Sequence, residues 1–244
     1  MSDNQDGQLL DSPADSEKQP TVSETIPTLP EVQYHLSDQV VVSVGAGSPE
    51  GESMGALRTQ LMSQHLKEGR RALAICSPSK AGRTSFIAVN LAVALTQAGV
   101  RTLLIDTNMR APKVQSYIVP SRPVRGLADC LEDAAVEFGE VIQDDVLPSL
   151  SVVFAGGPTD KAQELLAGPR FKSLVDLCMR EYDMIIFDTA PTNACADAQI
   201  VAMLARYGLV VARKNLSYVN DIKTLIADMR ANRVEVIGTV INEA

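Results

Sequence analysis

Residues 75–86 read Ile-Cys-Ser-Pro-Ser-Lys-Ala-Gly-Arg-Thr-Ser-Phe, the outline of a loop built to hold phosphate. The apolar lead-in Arg71-Ala-Leu-Ala-Ile-Cys76 predicts a strand, and Ile87, Leu91, Ala94, Leu95 and Ala98 recur at the spacing of one helix face. A strand, a loop of small residues and a helix N-terminus together aim backbone N–H groups and a positive dipole end at an anion. The usual form is G-x-x-x-x-G-K-[ST], in which the lysine reaches the outer phosphates and the hydroxyl meets magnesium. Here Gly82, Arg83 and Thr84 fill the last three places, and the expected phosphate-binding set is Lys80, Ala81, Gly82, Arg83, Thr84 and Ser85.

Two carboxylates belong with this loop. The run Val100-Arg-Thr-Leu-Leu-Ile-Asp-Thr-Asn-Met-Arg-Ala-Pro112 is an apolar strand ending in Asp106, and Tyr182-Asp-Met-Ile-Ile-Phe-Asp-Thr-Ala-Pro191 is a second ending in Asp188. At the carboxyl ends of parallel strands in an open α/β sheet such residues face the ligand crevice, where a carboxylate holds magnesium directly or through water. Thr84, Asp106 and Asp188 are therefore the candidate metal ligands, and Arg83, Asp106 and Asp188 the candidate catalytic groups. The plainer alternative is that both aspartates cap helix N-termini. A further strand, Val234-Glu-Val-Ile-Gly-Thr-Val-Ile-Asn242, ends in an amide.

Across residues 45–244 these motifs resemble the bacterial tyrosine kinases of capsule and exopolysaccharide synthesis, cytoplasmic relatives of the partition and septum-site P-loop ATPases. The family's loop resembles P-G-E-G-K-S-T, its second motif L-L-I-D-x-D-x-R-x-P, its third I-I-D-T-P-P followed by D-A, and its last G-x-V-x-N. The chain keeps Asp106, Arg110 and Pro112 of the second, Asp188, Thr189, Pro191, Asp197 and Ala198 of the third, and Gly238, Val240 and Asn242 of the last. Gly126-Leu-Ala-Asp-Cys-Leu131 and Gly156-Gly-Pro158 with Glu164-Leu-Leu166 resemble its connecting segments. The resemblance implies ATP and Mg2+ as ligands and a base-contacting role for Asn242. Glu52-Ser-Met-Gly-Ala-Leu-Arg-Thr-Gln-Leu61 resembles the segment E-x-x-R-x-x-R-T-N-L, which implies a homo-oligomer through Glu52 and Arg58. A packing helix with Met54, Leu57, Leu61 and Met62 at helical spacing is the other explanation of that segment.

The departures from the family pattern fall where chemistry would occur. Lys80 replaces the first loop glycine, at a place where backbone is expected to approach phosphate closely. Arg83 replaces the lysine with a planar fork instead of a compact point charge. Asn108 replaces the second aspartate of D-x-D, and Gly55 the first arginine of the assembly segment. Pro78 holds the place of the extra lysine of the partition ATPases. The family's kinases usually end in a tyrosine cluster, whereas this sequence stops two residues after Asn242, so autophosphorylation of such a cluster is not expected.

A doubly wound α/β domain is expected, three-layered and P-loop NTPase-like with a mostly parallel sheet, its strands near 71–76, 101–105, 151–154, 184–187, 208–212 and 235–241. Residues 113–150 are expected to form a helical connection. The chain has 244 residues, 45% of them hydrophobic, enough for one such domain and a tail. Its formal charge of −8 is uneven, because eight acidic residues and one lysine within residues 1–40 carry −7 of it. With its prolines and polar residues, segment 1–44 is expected to be a flexible acidic tail, either solubilising or a docking element.

No apolar run reaches membrane-spanning length, no secretory leader is evident at the start, and a basic stripe for nucleic acid is absent. Cys76, Cys130, Cys178 and Cys195 lack C-x-x-C spacing and are expected to be reduced packing residues. His35 and His65 have no catalytic companions.

The resulting expectation is a cytoplasmic tyrosine-kinase-like P-loop protein of exopolysaccharide biosynthesis, a pseudokinase in character. It would be recruited to the inner face of the membrane by a chain-length co-polymerase that it regulates. Weak or absent nucleotide binding and reduced phosphoryl transfer are expected. The alternatives are an active kinase phosphorylating a partner in trans and, third, a partition- or septum-type positioning ATPase.

Overall fold

A computed structural model describes residues 32–44 and 48–243. Nine strands are present among them: β1 (Tyr34–Leu36), β2 (Ala72–Cys76), β3 (Thr102–Asp106), β4 (Ile118–Pro120), β5 (Ile142–Leu147), β6 (Leu150–Val153), β7 (Met184–Asp188), β8 (Tyr207–Arg213) and β9 (Glu235–Asn242). The helices are α1 (Val41–Val44), α2 (Pro49–Gln64), α3 (Thr84–Gln97), α4 (Leu127–Glu132), α5 (Phe138–Val141), α6 (Ala162–Ala167), α7 (Pro169–Glu181), α8 (Asp197–Ala205) and α9 (Val219–Ala231).

Seven strands form one sheet in the order β5-β6-β3-β7-β2-β8-β9. All neighbours are parallel except β5, which runs antiparallel to β6 at one edge. Helices cover both faces, so β2, β3 and β7 are buried along their whole length and read as continuous apolar runs. Side chains alternate between two cores. Leu73 and Ile75 of β2 pack with α2 and α3, while Ala72, Ala74 and Cys76 pack with α7, α8 and α9. The expected doubly wound fold with a mostly parallel sheet is the fold observed.

Helix α3 departs from the one-faced pattern expected of it. Every residue from Thr84 to Thr96 is buried, because the helix lies between the sheet on one side and α1 and α2 on the other. Ala98, expected on its apolar face, is exposed at the C-cap, where the chain turns through Gly99 at φ 80°. Helix α2 extends beyond both ends of the expected Glu52–Leu61 segment: Ser48 caps it by accepting from the Gly51 N–H at 3.0 Å, and Pro49 fills the first turn.

Two expectations need correction. Residues 113–150 are not simply helical, for they contain β4 and β5 along with α4 and α5. Strand β5, Ile-Gln-Asp-Asp-Val-Leu, is a polar edge strand whose composition carries no strand-like alternation. The expected tail boundary at residue 44 also falls inside packed structure. Strand β1 pairs antiparallel with β4, and Val40 is fully buried. The compact unit starts at Val32, and the first 31 residues of the expected acidic tail lie outside the described residues.

Candidate nucleotide-binding site

Chain connections leave β2 toward β3 on one side and β7 toward β8 on the other, so the crevice of this doubly wound sheet opens at the carboxyl ends of β2 and β7. The expected loop, Ser77–Arg83, lies there. It closes with a 3-10 turn over Lys80–Gly82 and places Arg83 at φ 56° and ψ 55°, immediately before α3. Gly82 is required by space. A Cβ there would come within 2.1 Å of Ser77 Oγ and 3.0 Å of the Val211 carbonyl.

The third motif straps this loop in place. Thr189 Oγ1 donates to the Ile75 carbonyl at 2.8 Å, and the Thr192 and Asn193 N–H groups donate to the carbonyls of Ser77 and Pro78 at 3.0 Å each. Asn242, at the end of β9, donates through Nδ2 to the Gly82 carbonyl at 3.4 Å, which ties the last motif to the loop as well. Ala81 is half-buried within the 3-10 turn.

Asp106 and Asp188 are paired residues on adjacent strands β3 and β7, and both are fully buried. Asp106 is held by its own following loop: Oδ1 accepts from the Asn108 N–H at 3.0 Å, and Oδ2 from the Lys113 and Val114 N–H groups at 3.1 Å each. Neither oxygen of Asp188 makes a well-formed hydrogen bond among the described residues, although the Ser85 and Thr84 hydroxyls and the Thr189 N–H lie near enough to favour its charged form. Burial, then the charge of Asp106, raises the Asp188 carboxyl well above the ordinary carboxylate range. Burial raises Asp106 too, against the pull of its three N–H donors. Two carboxylates in such a setting share protons, or a cation replaces them.

Thr84 Oγ1 donates to the Thr189 carbonyl at 3.1 Å, and its hydroxyl lies near enough to Asp188 to lower that carboxyl, as does the Ser85 hydroxyl. Asp188, Asp106 and the Thr84 hydroxyl are hard oxygen donors, the kind magnesium takes, and the buried Asp188 oxygens fit a cation.

A cavity of about 430 Å3 opens beside the loop. Its wall includes Ser79, Lys80, Arg83, Thr84, Ser85, Asn108 and Pro191, all from the three motifs, together with Gln39, Ala111, Lys113, Ser116 and Tyr117. The wall carries three cationic side chains and no carboxylate, and neither Asp106 nor Asp188 reaches it.

Arg83 is committed elsewhere. Its Nη2 donates to Gln39 Oε1 at 3.1 Å, and its guanidinium lies 4.8 Å from the Phe86 ring centre. Asn90 steadies that arrangement by donating through Nδ2 to the Gln39 carbonyl at 3.1 Å.

Sequence patterns did not single out Gln39, Lys113, Ser116 or Tyr117. Lys113 directly follows Pro112 of the second motif, which was the available signal; Gln39 lies far from every motif and enters through the fold. Arg110 makes a two-point contact with buried Asp197, through Nε to Oδ2 at 2.7 Å and Nη2 to Oδ1 at 3.4 Å, joining the second and third motifs. Glu52 is exposed, whereas Arg58 is half-buried and donates to the Ala94 carbonyl of α3 at 3.5 Å. The four cysteines are unpaired, with Cys76, Cys130 and Cys178 buried.

No protein-family model matches the chain. EpsB of Ralstonia nicotianae, named as a tyrosine-protein kinase, is 31% identical over 232 residues, covering 91% of this chain but only 30% of EpsB. The chain thus spans about a third or less of the length of that relative. CapB of Staphylococcus aureus, named likewise, is 29% identical over 195 residues, which cover 79% of this chain and 83% of CapB. Among solved structures, the chimerical protein CapA2B2 superposes with a TM-score of 0.77 at 25% identity, over 85% of this chain and 91% of the other. The cell division ATPase MinD of Pyrococcus furiosus shares the fold at a TM-score of 0.58 and 20% identity, over 71% of this chain and 72% of MinD. The chain is thus a homologue of the bacterial tyrosine-protein kinases, with a MinD-type ATPase as a more distant structural neighbour.

Proposed function

We propose that the chain is a tyrosine-kinase-like P-loop protein of exopolysaccharide biosynthesis that binds a nucleotide weakly. It transfers phosphoryl groups far more slowly than an intact relative, and acts mainly by regulating a chain-length co-polymerase at the inner face of the membrane. The observation that carries this is the cationic cavity beside the Asp106–Asp188 pair, in which the side chain at the phosphate-clamp position, Arg83, is bound to Gln39 and Phe86. Backbone N–H groups and the start of α3 remain to hold an anion, so binding outlasts turnover. Turnover depends on donors fixed within a fraction of an ångström of the reacting phosphate, and a guanidinium tied to Gln39 is not so placed.

Thr84 and Asp188 would hold magnesium with Asp106 beside them, and the ion would neutralise and orient the phosphates. Asp106 would be the carboxylate nearest an attacking hydroxyl; its hydrogen bonds to the 108–114 loop hold its orientation. Asn108 supplies an amide where a second charge would draw the ion in; its Oδ1 accepts from the Ala111 N–H at 3.3 Å.

The test is a restoration series, Arg83→Lys with Lys80→Gly and Asn108→Asp, assayed for ATP affinity and for phosphorylation of tyrosine on a candidate co-polymerase. Restoration is expected to raise transfer by at least about tenfold, roughly 1.4 kcal/mol of barrier. Robust transfer by the unaltered protein, unimproved by restoration, overturns the proposal in favour of an active kinase working in trans. The retained pairing of Asp106 with Asp188 is the observation that keeps that second reading open.

A further inference from the structure

We infer that Lys113 supplies the phosphate-facing ammonium that the loop itself lacks, while Arg83 serves to hold the Gln39 segment against the site. This deepens the nucleotide reading above and rests on it.

The cavity wall offers three candidate cations, Lys80, Arg83 and Lys113. Arg83 already gives one of its five donors to the Gln39 amide oxygen and lies over the Phe86 ring, so turning it to an anion competes with both contacts. Lys80 and Lys113 have neither an ion pair nor a side-chain hydrogen bond among the described residues.

Two features separate these lysines. Lys80 is the exposed first residue of the loop's 3-10 turn, at the place where a glycine would let phosphate approach. Lys113 has its backbone fixed on the reaction centre, because its N–H donates to Asp106 Oδ2 at 3.1 Å. The Val114 N–H makes a second bond to the same oxygen, also at 3.1 Å, and the following turn carries Ser116 and Tyr117 to the cavity wall. Its anchor is thus rigid and its tip free. A compact, strongly charged ammonium on a four-carbon stem suits a phosphate oxygen approached from the side opposite the loop, where Arg83 cannot follow. The ligand class is a nucleoside polyphosphate with its magnesium ion, its outer phosphates between the start of α3 and Lys113.

The experiment is a calorimetric titration of the full chain with MgATP, comparing the unaltered protein with Lys113→Gln, Lys113→Arg and Arg83→Gln. Loss of a charge-assisted hydrogen bond predicts a Kd raised at least about tenfold in Lys113→Gln, partly recovered in Lys113→Arg. Arg83→Gln is expected to weaken binding less than Lys113→Gln does. Lys113 is exposed, so its melting temperature without nucleotide should match that of the unaltered protein and separate a lost contact from a lost fold. An unchanged Kd in Lys113→Gln, or a larger loss in Arg83→Gln, overturns this assignment alone. No saturable MgATP binding by the unaltered protein overturns the nucleotide reading and the assignment together.

Discussion

At the scale of single residues, the Asp188 carboxylate stands out in the site, both oxygens buried and without a well-formed hydrogen bond among the described residues. Its ordinary value is 3.8, and burial with the nearby Asp106 charge pushes it up to about 8. Between those values the folded protein holds a proton that the unfolded chain has released, so stability falls as pH rises through that window. Asp188→Asn removes the cost of the buried charge. In thermal melts without magnesium or nucleotide, the variant's advantage over the unaltered protein should be larger at pH 8 than at pH 5, at about 2–4 °C for each kcal/mol. An advantage independent of pH would show that Asp188 is not the group titrating. The Arg110–Asp197 pair gives the opposite case. Asp197 has 2% of its side chain exposed, so Arg110→Ala leaves a buried carboxylate unpaired. Arg110 itself is 33% exposed, which lowers the loss to about 1–3 kcal/mol, measurable by urea unfolding.

Among the elements, close approaches between loops decide what the sequence tolerates. The start of α4 lies against the turn after β6: a Cβ on Gly126 would fall 2.2 Å from the Gly156 N, and Gly156 itself sits at φ 84°. Gly126→Ala must therefore push two backbones apart, with an expected loss of about 1–3 kcal/mol and a matching drop in melting temperature. A loss under a few tenths of a kcal/mol would mean that the loops separate freely. Helix α2 carries the assembly question. Glu52 is exposed and has no ion pair among the described residues, while Arg58 leans on α3. If these residues join neighbouring copies, Arg58→Glu shifts the protein to smaller species in light scattering. An unchanged mass assigns Arg58 to packing against α3 alone.

For the molecule as a whole, the N-terminal segment belongs to the site as much as to the fold. Val40 is fully buried, the Ser37 N–H donates to the Tyr117 carbonyl at 2.9 Å, and Gln39 borders the cavity. A fragment starting at Val32 should keep its melting temperature, whereas one starting at Gly45 should lose roughly 2–4 kcal/mol from the exposed apolar surface and broken hydrogen bonds. Equal melting temperatures for the two fragments would remove the segment from the folded unit. Among the described residues no helix is long and apolar enough to cross a membrane.

The parallel strands were legible because burial on both faces writes them as unbroken apolar runs, and the motifs were legible because strand-end chemistry is local. Ser77–Ser85, Asp106 and Asp188 could be assigned to one crevice from residue type, spacing and the placement rule for α/β sheets alone. Short or polar elements left no such trace: β1 and β4 have three residues each, and β5 is a polar edge strand held by its pairing with β6. Only the tertiary structure decided where Arg83 points, because its partner Gln39 is 44 residues away along the chain. It likewise decided that Lys113 borders the cavity, its backbone held with Val114 on Asp106, and that Asp188 is buried without a well-formed hydrogen bond among the described residues. Side-chain direction depends on which distant groups compete for each donor, and one residue's neighbours in sequence do not contain that information.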